Sequence, residues 1–157
     1  MSELEAIYHF HKIDENLATA GQPTIEQFST IKSANYTLII NLADGTTERD
    51  ILDEAEIVSD LGLNYHQLPV DWENPKDSDI DAFFDLLSDN QHQKIFVHCI
   101  ANYRVAAFVF LYRVLKQSVP IAEAQSSKDA VWKPKHVFPK WDAFIERTLT
   151  RYRNEEL

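Results

Sequence analysis

Hydrophobic and polar positions change period several times along the chain, and each change marks an element. Residues 7–13 (IYHFHKI) alternate at period two and predict a strand. Residues 17–20 (LATA) predict a second short strand, ended by the turn Gly21-Gln22-Pro23. The spacing then becomes helical through Ile25, Phe28 and Ile31, with Thr24 as N-cap and Gln27 as its capping-box partner. Residues 37–42 (TLIINL) are nearly all apolar and β-branched, as in a strand buried on both faces. After the turn Asp44-Gly45, residues 48–61 predict an acidic helix that Gly62 stops. Its buried stripe would be Ile51, Leu52, Ala55 and Val58, with the acids on a solvated face. Residues 64–70 form the next strand, 71–76 (DWENPK) a loop, and 77–88 a helix burying Ile80, Phe83, Phe84 and Leu87. Residues 94–98 (KIFVH) read as another buried strand. Residues 104–116 are apolar on nearly every side and predict the central helix, and 120–130 and 139–152 two more.

Strands alternating with helices predict an α/β domain, with a mainly parallel central sheet and helices on both faces. Ligands of such sheets bind outside the carboxyl ends of the strands, which directs attention to the loops after Leu42, Val70 and His98. The 157 residues suit a single domain spanning 1–157. A formal net charge of −10 repels a phosphate backbone, so no nucleic-acid partner is expected. No apolar run has the ~18–20 residues of a bilayer span, and the acidic start does not resemble a secretion signal, so no membrane partner is expected either. Cys99 is the only cysteine, which excludes an internal disulfide and fits a reducing, cytoplasmic compartment.

The chemistry concentrates where residues 95–105 (IFVHCIANYRV) run from strand through tight loop to helix. Cys99 would sit at the sheet's carboxyl edge, facing the positive end of the helix, whose free N–H groups favour a thiolate. The same N–H groups can hold a phosphate or sulfate. Arg104 offers a planar fork for two oxygens of that anion.

These residues resemble the His-Cys-x5-Arg-Ser/Thr signature of cysteine-dependent phosphatases of the protein-tyrosine and dual-specificity group. Ala20-Gly21-Gln22-Pro23, Ile39-Ile40-Asn41-Leu42, Leu68-Pro69-Val70 and His98-Cys99 with Arg104 resemble, more closely, a bacterial family assigned as phosphatases. That family is similar to the phosphatase-like part of the beta-lactamase hydrolase-like proteins. The resemblance spans about Tyr8 to Phe144 and implies a dual-specificity-phosphatase-like fold, a phosphorylated substrate (protein or small molecule) and no cofactor or metal. By position it makes Cys99 the nucleophile of a thiophosphate intermediate and Arg104 the ligand of the phosphoryl oxygens. The amides of Ile100, Ala101, Asn102, Tyr103 and Arg104 would complete the cradle, and His98 would tune the thiolate through hydrogen bonds. The general acid would be Asp71, 28 residues before Cys99, with Glu73 as the alternative. Trp72 beside them would shut water out of the pocket.

The chain departs from the common signature at three points. Only four residues separate Cys99 from Arg104, no glycine lies between them, and Val105 stands where a Ser or Thr hydroxyl would assist departure of the thiolate. If a loop residue needs positive φ, Asn102 is the candidate, because Asn tolerates that region. The expected activity is therefore a slow cysteine-dependent phosphomonoesterase. A phosphate-binding module without turnover is the alternative, and a rhodanese-like sulfurtransferase the third. His9 and His11 read as one face of a strand without enough converging partners for a metal, and His66, His92 and His136 are isolated. Ser126-Ser127 lacks a nucleophile elbow, and Gly45 and Gly62 form no dinucleotide fingerprint. Trp132 and Trp141 are expected to close the core under the last helices, and a substrate-facing role remains open for Trp132 or Lys133.

Overall fold

A strand buried at every position has to be covered on both faces, and β5 (Ile95–His98) takes the middle of the sheet. In the computed structural model, which describes residues 3–132 and 138–155, it is flanked by β2 (Leu17–Ala20) and β3 (Leu38–Asn41), both parallel to it. Strand β4 (Asn64–Gln67) extends the sheet beside β3, and β1 (His11–Asp14) closes the other edge antiparallel to β2. The order is β1-β2-β5-β3-β4, the mainly parallel sheet that the sequence predicts.

Side chains that alternate along each strand divide the interior in two. Leu17, Leu38, Ile40, Ile95 and Val97 point into the larger cluster, which takes in α3 (Asp77–Asp89), α4 (Tyr103–Lys116), α5 (Ile121–Val131) and α6 (Pro139–Glu155). Ala18, Ala20, Ile39 and Phe96 point the other way, onto α1 (Gln27–Ser33) and α2 (Glu54–Asp60). Helices thus cover both faces. Helix α3 buries Ile80, Phe83, Phe84 and Leu87 as its periodicity requires, and α4 is buried from Arg104 through Tyr112. Thr24 and Gln27 exchange side-chain-to-backbone hydrogen bonds of 2.9 and 3.3 Å, the reciprocal capping box ahead of α1.

Three predicted elements are shorter than their patterns suggest, and one of them, the strand predicted over 64–70, ends at Gln67. Only the last part of residues 7–13 is strand, because residues 3–9 turn through Ile7 N–H to Leu4 and Phe10 N–H to Ile7, with His9 at φ 51°. His9 and His11 therefore do not share a strand face. The acidic helix begins at Glu54, since Thr47 and Asp50 close a side-chain-capped turn before it. Its buried positions are Glu54 and Val58, whereas Ala55 is exposed and Leu52 lies fully in solvent. The solvated-face reading of its acids is thereby corrected at Glu54. Among the described residues no helix is long and apolar enough to cross a membrane.

Candidate active site at the carboxyl edge of the sheet

Strand β5 ends at His98, α4 starts at Tyr103, and residues 99–102 must reverse the chain between them. The reversal falls on Asn102, which adopts the left-handed conformation at φ 69°. Its buried Nδ2 donates to the His9 carbonyl (2.9 Å) and to Thr19 Oγ1 (3.0 Å), fixing the turn to β2 and to the segment that leads into β1. Three successive loop carbonyls are drawn outward by specific donors. His98 Nδ1 donates to the Cys99 carbonyl at 3.0 Å, Gln22 N–H to Ile100 at 2.9 Å, and His9 Nδ1 to Ala101 at 2.9 Å. With the carbonyls committed behind the loop, the amides are left for its front. Among the described residues the N–H groups of Ile100, Ala101, Asn102, Arg104 and Val105 meet no acceptor.

In front of the loop lies an open hollow of ≈ 210 Å³ lined by Cys99, Ile100, Ala101, Tyr103, Arg104, Trp72 and Phe138. Cys99 is 1% exposed at its base, and Arg104 is 6% exposed at its wall. The guanidinium is held from outside the loop: Nη1 donates to the Val70 carbonyl at 2.9 Å and lies 3.5 Å from Asp44 Oδ1. Both partners belong to the loops after β3 and β4, so three strand ends meet at one cation. The opposite wall is aromatic. Trp72 stands edge-on to Phe138 (4.9 Å between ring centres), stacks on Trp141 (5.3 Å) and faces Tyr103 (6.3 Å).

Of the two candidate acids, neither lines the hollow. Asp71 is exposed, and its Oδ1 accepts the Glu73 N–H at 2.9 Å, which rolls the loop over so that Trp72 faces the site. Glu73 turns away and pairs with Lys140 of α6 at 2.9 Å. The loop is also fastened by Trp141 Nε1, which donates to the Trp72 carbonyl at 2.9 Å. Trp132 and Trp141 are buried, each with its indole N–H satisfied by a backbone carbonyl. Lys133 and His136 lie outside the described residues.

Behind the loop the structure holds a polar cluster that sequence reasoning missed. Glu54 Oε2 lies 2.7 Å from His98 Nε2 and accepts from Tyr65 Oη (2.9 Å) and Asn41 Nδ2 (3.2 Å); its Oε1 accepts from Gln22 Nε2 (2.7 Å). Burial disfavours the charged carboxylate, but the hydrogen bond and charge of His98, with the bonds from Gln22 and Tyr65, outweigh it and hold Glu54 below the usual carboxylate range. Burial and then the charge of Glu54 push the Tyr65 hydroxyl upward. The available signal was register: Glu54 shares a helical face with Val58, a charged residue on an inward stripe. Asp44, two residues beyond the predicted strand 37–42, carries no local signal beyond that of a turn aspartate, and Gly21 fills a position with no room for a larger side chain. A Cβ on Gly21 would stand 2.5 Å from the Ile100 carbonyl oxygen.

The arrangement can do three things: hold a tetrahedral anion on amides, neutralise it with a guanidinium, and present sulfur beneath it. Among the described residues no three His, Cys, Asp or Glu side chains converge as a metal ion would require.

Comparison with known proteins gives the site its context. The family described as "DSP-PTPase phosphatase fused to NAD+ Kinase" matches residues 8–142. A DUF442 protein of Shewanella putrefaciens CN-32 is 32% identical, with a TM-score of 0.83 over 95% of this chain and 94% of that one. At lower identity the fold alone recurs in two further proteins. P. aeruginosa TpbA, in complex with pTyr, is 11% identical, with a TM-score of 0.71 over 93% of this chain and 91% of that one. The catalytic domain of the S. cerevisiae PP-IP phosphatase SIW14, in complex with citrate, is 17% identical, with a TM-score of 0.72 over 89% and 85%. Comparison with curated protein sequences returns no match. With a family match over most of its length and a structural relative at almost one residue in three, the chain belongs to the DSP-PTPase family of cysteine-dependent phosphatases.

Proposed function

We propose that the protein hydrolyses phosphomonoesters through Cys99. The observation that carries this is the outward commitment of three consecutive loop carbonyls, which leaves the intervening amides, the Cys99 sulfur and Arg104 to one hollow. The phosphoryl group enters with its oxygens on those amides and the guanidinium, where preorganised donors stabilise the charge that spreads over them in the transition state. The Cys99 thiolate attacks phosphorus, the P–O bond to the leaving group breaks, and Asp71 gives the departing oxygen its proton. Water then attacks the thiophosphate and gives a proton back to the Asp71 carboxylate, the S–P bond breaks, and the thiolate is restored as inorganic phosphate leaves. Asp71 follows Val70, whose carbonyl anchors Arg104, and precedes Trp72 of the hollow's wall, so its carboxyl is carried on the segment that borders the hollow.

The aromatic wall supports an aryl phosphate as substrate. Trp72, Tyr103 and Phe138 offer flat apolar surface beside the anion site, and among the described residues Arg104 is the only cationic side chain lining the hollow. The test is hydrolysis of an aryl phosphate in EDTA by wild type, Cys99→Ser and Arg104→Ala. Turnover that vanadate inhibits and Cys99→Ser abolishes is the expected result; equal, negligible turnover in wild type and Cys99→Ser at high enzyme concentration refutes catalysis by this thiol.

A second reading, phosphoanion binding without turnover, is favoured by one observation. Val105 is fully buried beside the loop and carries no hydroxyl to receive the thiolate as the intermediate breaks down. Tight phosphoanion binding that Arg104→Ala removes, with no hydrolysis, selects it.

A further inference from the structure

The hydrogen bonds of the Glu54 cluster constrain where its hydrogens lie. A carbonyl only accepts, so His98 Nδ1 carries hydrogen in its 3.0 Å bond to Cys99. At Glu54 the side-chain amides of Gln22 and Asn41 donate to the two carboxyl oxygens. Asn41 Nδ2 also donates to Tyr65 Oη at 3.0 Å, which turns the Tyr65 hydroxyl hydrogen toward Glu54. Gln22, Asn41 and Tyr65 therefore all donate to the carboxyl, and only His98 Nε2, 2.7 Å from Oε2, is left to share a hydrogen with it. Glu54 is held below the usual carboxylate range, and a carboxylate oxygen at that distance requires the hydrogen on Nε2. The fully buried His98 ring thus donates from both nitrogens, one to Glu54 and one to the residue that bears the thiol.

We propose that Glu54 is a positioning residue that keeps hydrogen on both His98 nitrogens, so that the ring clamps the Cys99 carbonyl behind the loop and stands protonated one residue from the thiol. The proposal rests on Cys99 being the nucleophile, and it gives that thiol a charge relay across the sheet from α2. A thiol beside a buried cation ionises more readily, because the charged form gains the attraction. Among the described residues few other groups face the pair. Tyr65 comes from β4, Asn41 from β3 and Phe28 from α1, and Asp50, in the turn before α2, acts on Tyr65 from farther away. Gln22 is neutral, so Glu54 is the charge that holds the imidazolium.

The experiment is the pH profile of Cys99 alkylation by iodoacetamide in wild type, Glu54→Gln and Glu54→Asp. It reads the thiol directly, so it reports on Glu54 even where no phosphate ester is turned over, and failure of the phosphatase reading stays separate. Glu54→Gln is expected to move the alkylation midpoint up by about one pH unit, an about tenfold slower reaction near neutrality, with Glu54→Asp recovering part of it. A folded Glu54→Gln protein with the wild-type midpoint overturns the proposal. If that variant does not fold, ¹⁵N spectra of wild type decide. A His98 ring, identified by its contact with Phe28, that carries hydrogen on both nitrogens at pH 7.5 supports the assignment, and a neutral ring overturns it.

Discussion

Replacing Gly21 with alanine adds one methyl group at the point where the turn after β2 touches the back of the Cys99 loop. The backbone of Gly21 is outside the left-handed region, so the obstacle is space alone. The new Cβ would stand 2.5 Å from the Ile100 carbonyl oxygen and 2.7 Å from Tyr8 Cδ2, and the Ile100 oxygen must retreat by about 0.9 Å to reach an ordinary 3.4 Å contact. That oxygen accepts the Gln22 N–H, so its retreat tilts the peptide plane whose amide faces the hollow. Overpacking costs about 1–3 kcal/mol, and loss of glycine's freedom in the unfolded chain offsets about 0.4–1 of it. For a chain of this length that corresponds to a Tm lower by about 2–8 °C. Catalysis should suffer more, since a displacement of about 1 Å in a catalytic constellation costs about a hundredfold. The assay pairs kcat/KM on an aryl phosphate with a thermal melt. Gly45→Ala is the control: it is strained at φ +77° but has nothing within 4 Å of the added Cβ, so it should lose stability and keep its rate. A Gly21→Ala enzyme within twofold of wild-type kcat/KM would refute the reasoning.

Other expectations are simpler to state. Asp71→Asn should lower kcat by about 10²–10⁴ on a poorly leaving aryl phosphate and far less on an activated one, with Glu73→Gln near wild type on both; the reverse ranking assigns the acid to Glu73. Asn102→Ala should destabilise by about 2–4 kcal/mol in denaturant melts, combining left-handed strain with loss of the bonds to His9 and Thr19, whereas Asn102→Gly escapes the strain component. Glu54 is held below its ordinary 4.5, so the stability it contributes is present above that pH and is lost as pH falls through its folded value. Glu54→Gln should accordingly flatten the stability curve below about pH 5, measured by urea midpoints. Val105→Thr should raise steady-state turnover relative to the first-turnover burst in rapid-quench experiments, by supplying the missing hydroxyl.

How far the sequence discloses this molecule depends on the range of the interaction. Strand alternation and the stripe Ile80, Phe83, Phe84 and Leu87 are properties of neighbours in sequence, and both elements stand where the periodicity predicts. The same is true of Asn102, since side-chain tolerance of positive φ is local. Residues 7–13 misled because alternation continues through a stretch whose backbone turns at His9 to meet Ala101, a contact 92 positions away. Glu54 misled for a related reason: solvation is the default for a helix acid, and the donors that overrule it come from Gln22, Asn41, Tyr65 and His98, on four other segments. In the site, Cys99 and Arg104 were legible from spacing. Asp44, which anchors the guanidinium, was not, because nothing local distinguishes it from a turn aspartate.

The bonds from His9 to Ala101 and from Trp141 to Trp72 have a temporal consequence. One joins residue 9 to residue 101 and the other residue 72 to residue 141, so each forms only when segments far apart in sequence have packed together. A half-refolded chain holds Cys99 and Arg104 five positions apart without the hollow that encloses them. The recovery of wild-type thiol reactivity after denaturation is therefore a clock for the closing of these two long-range contacts.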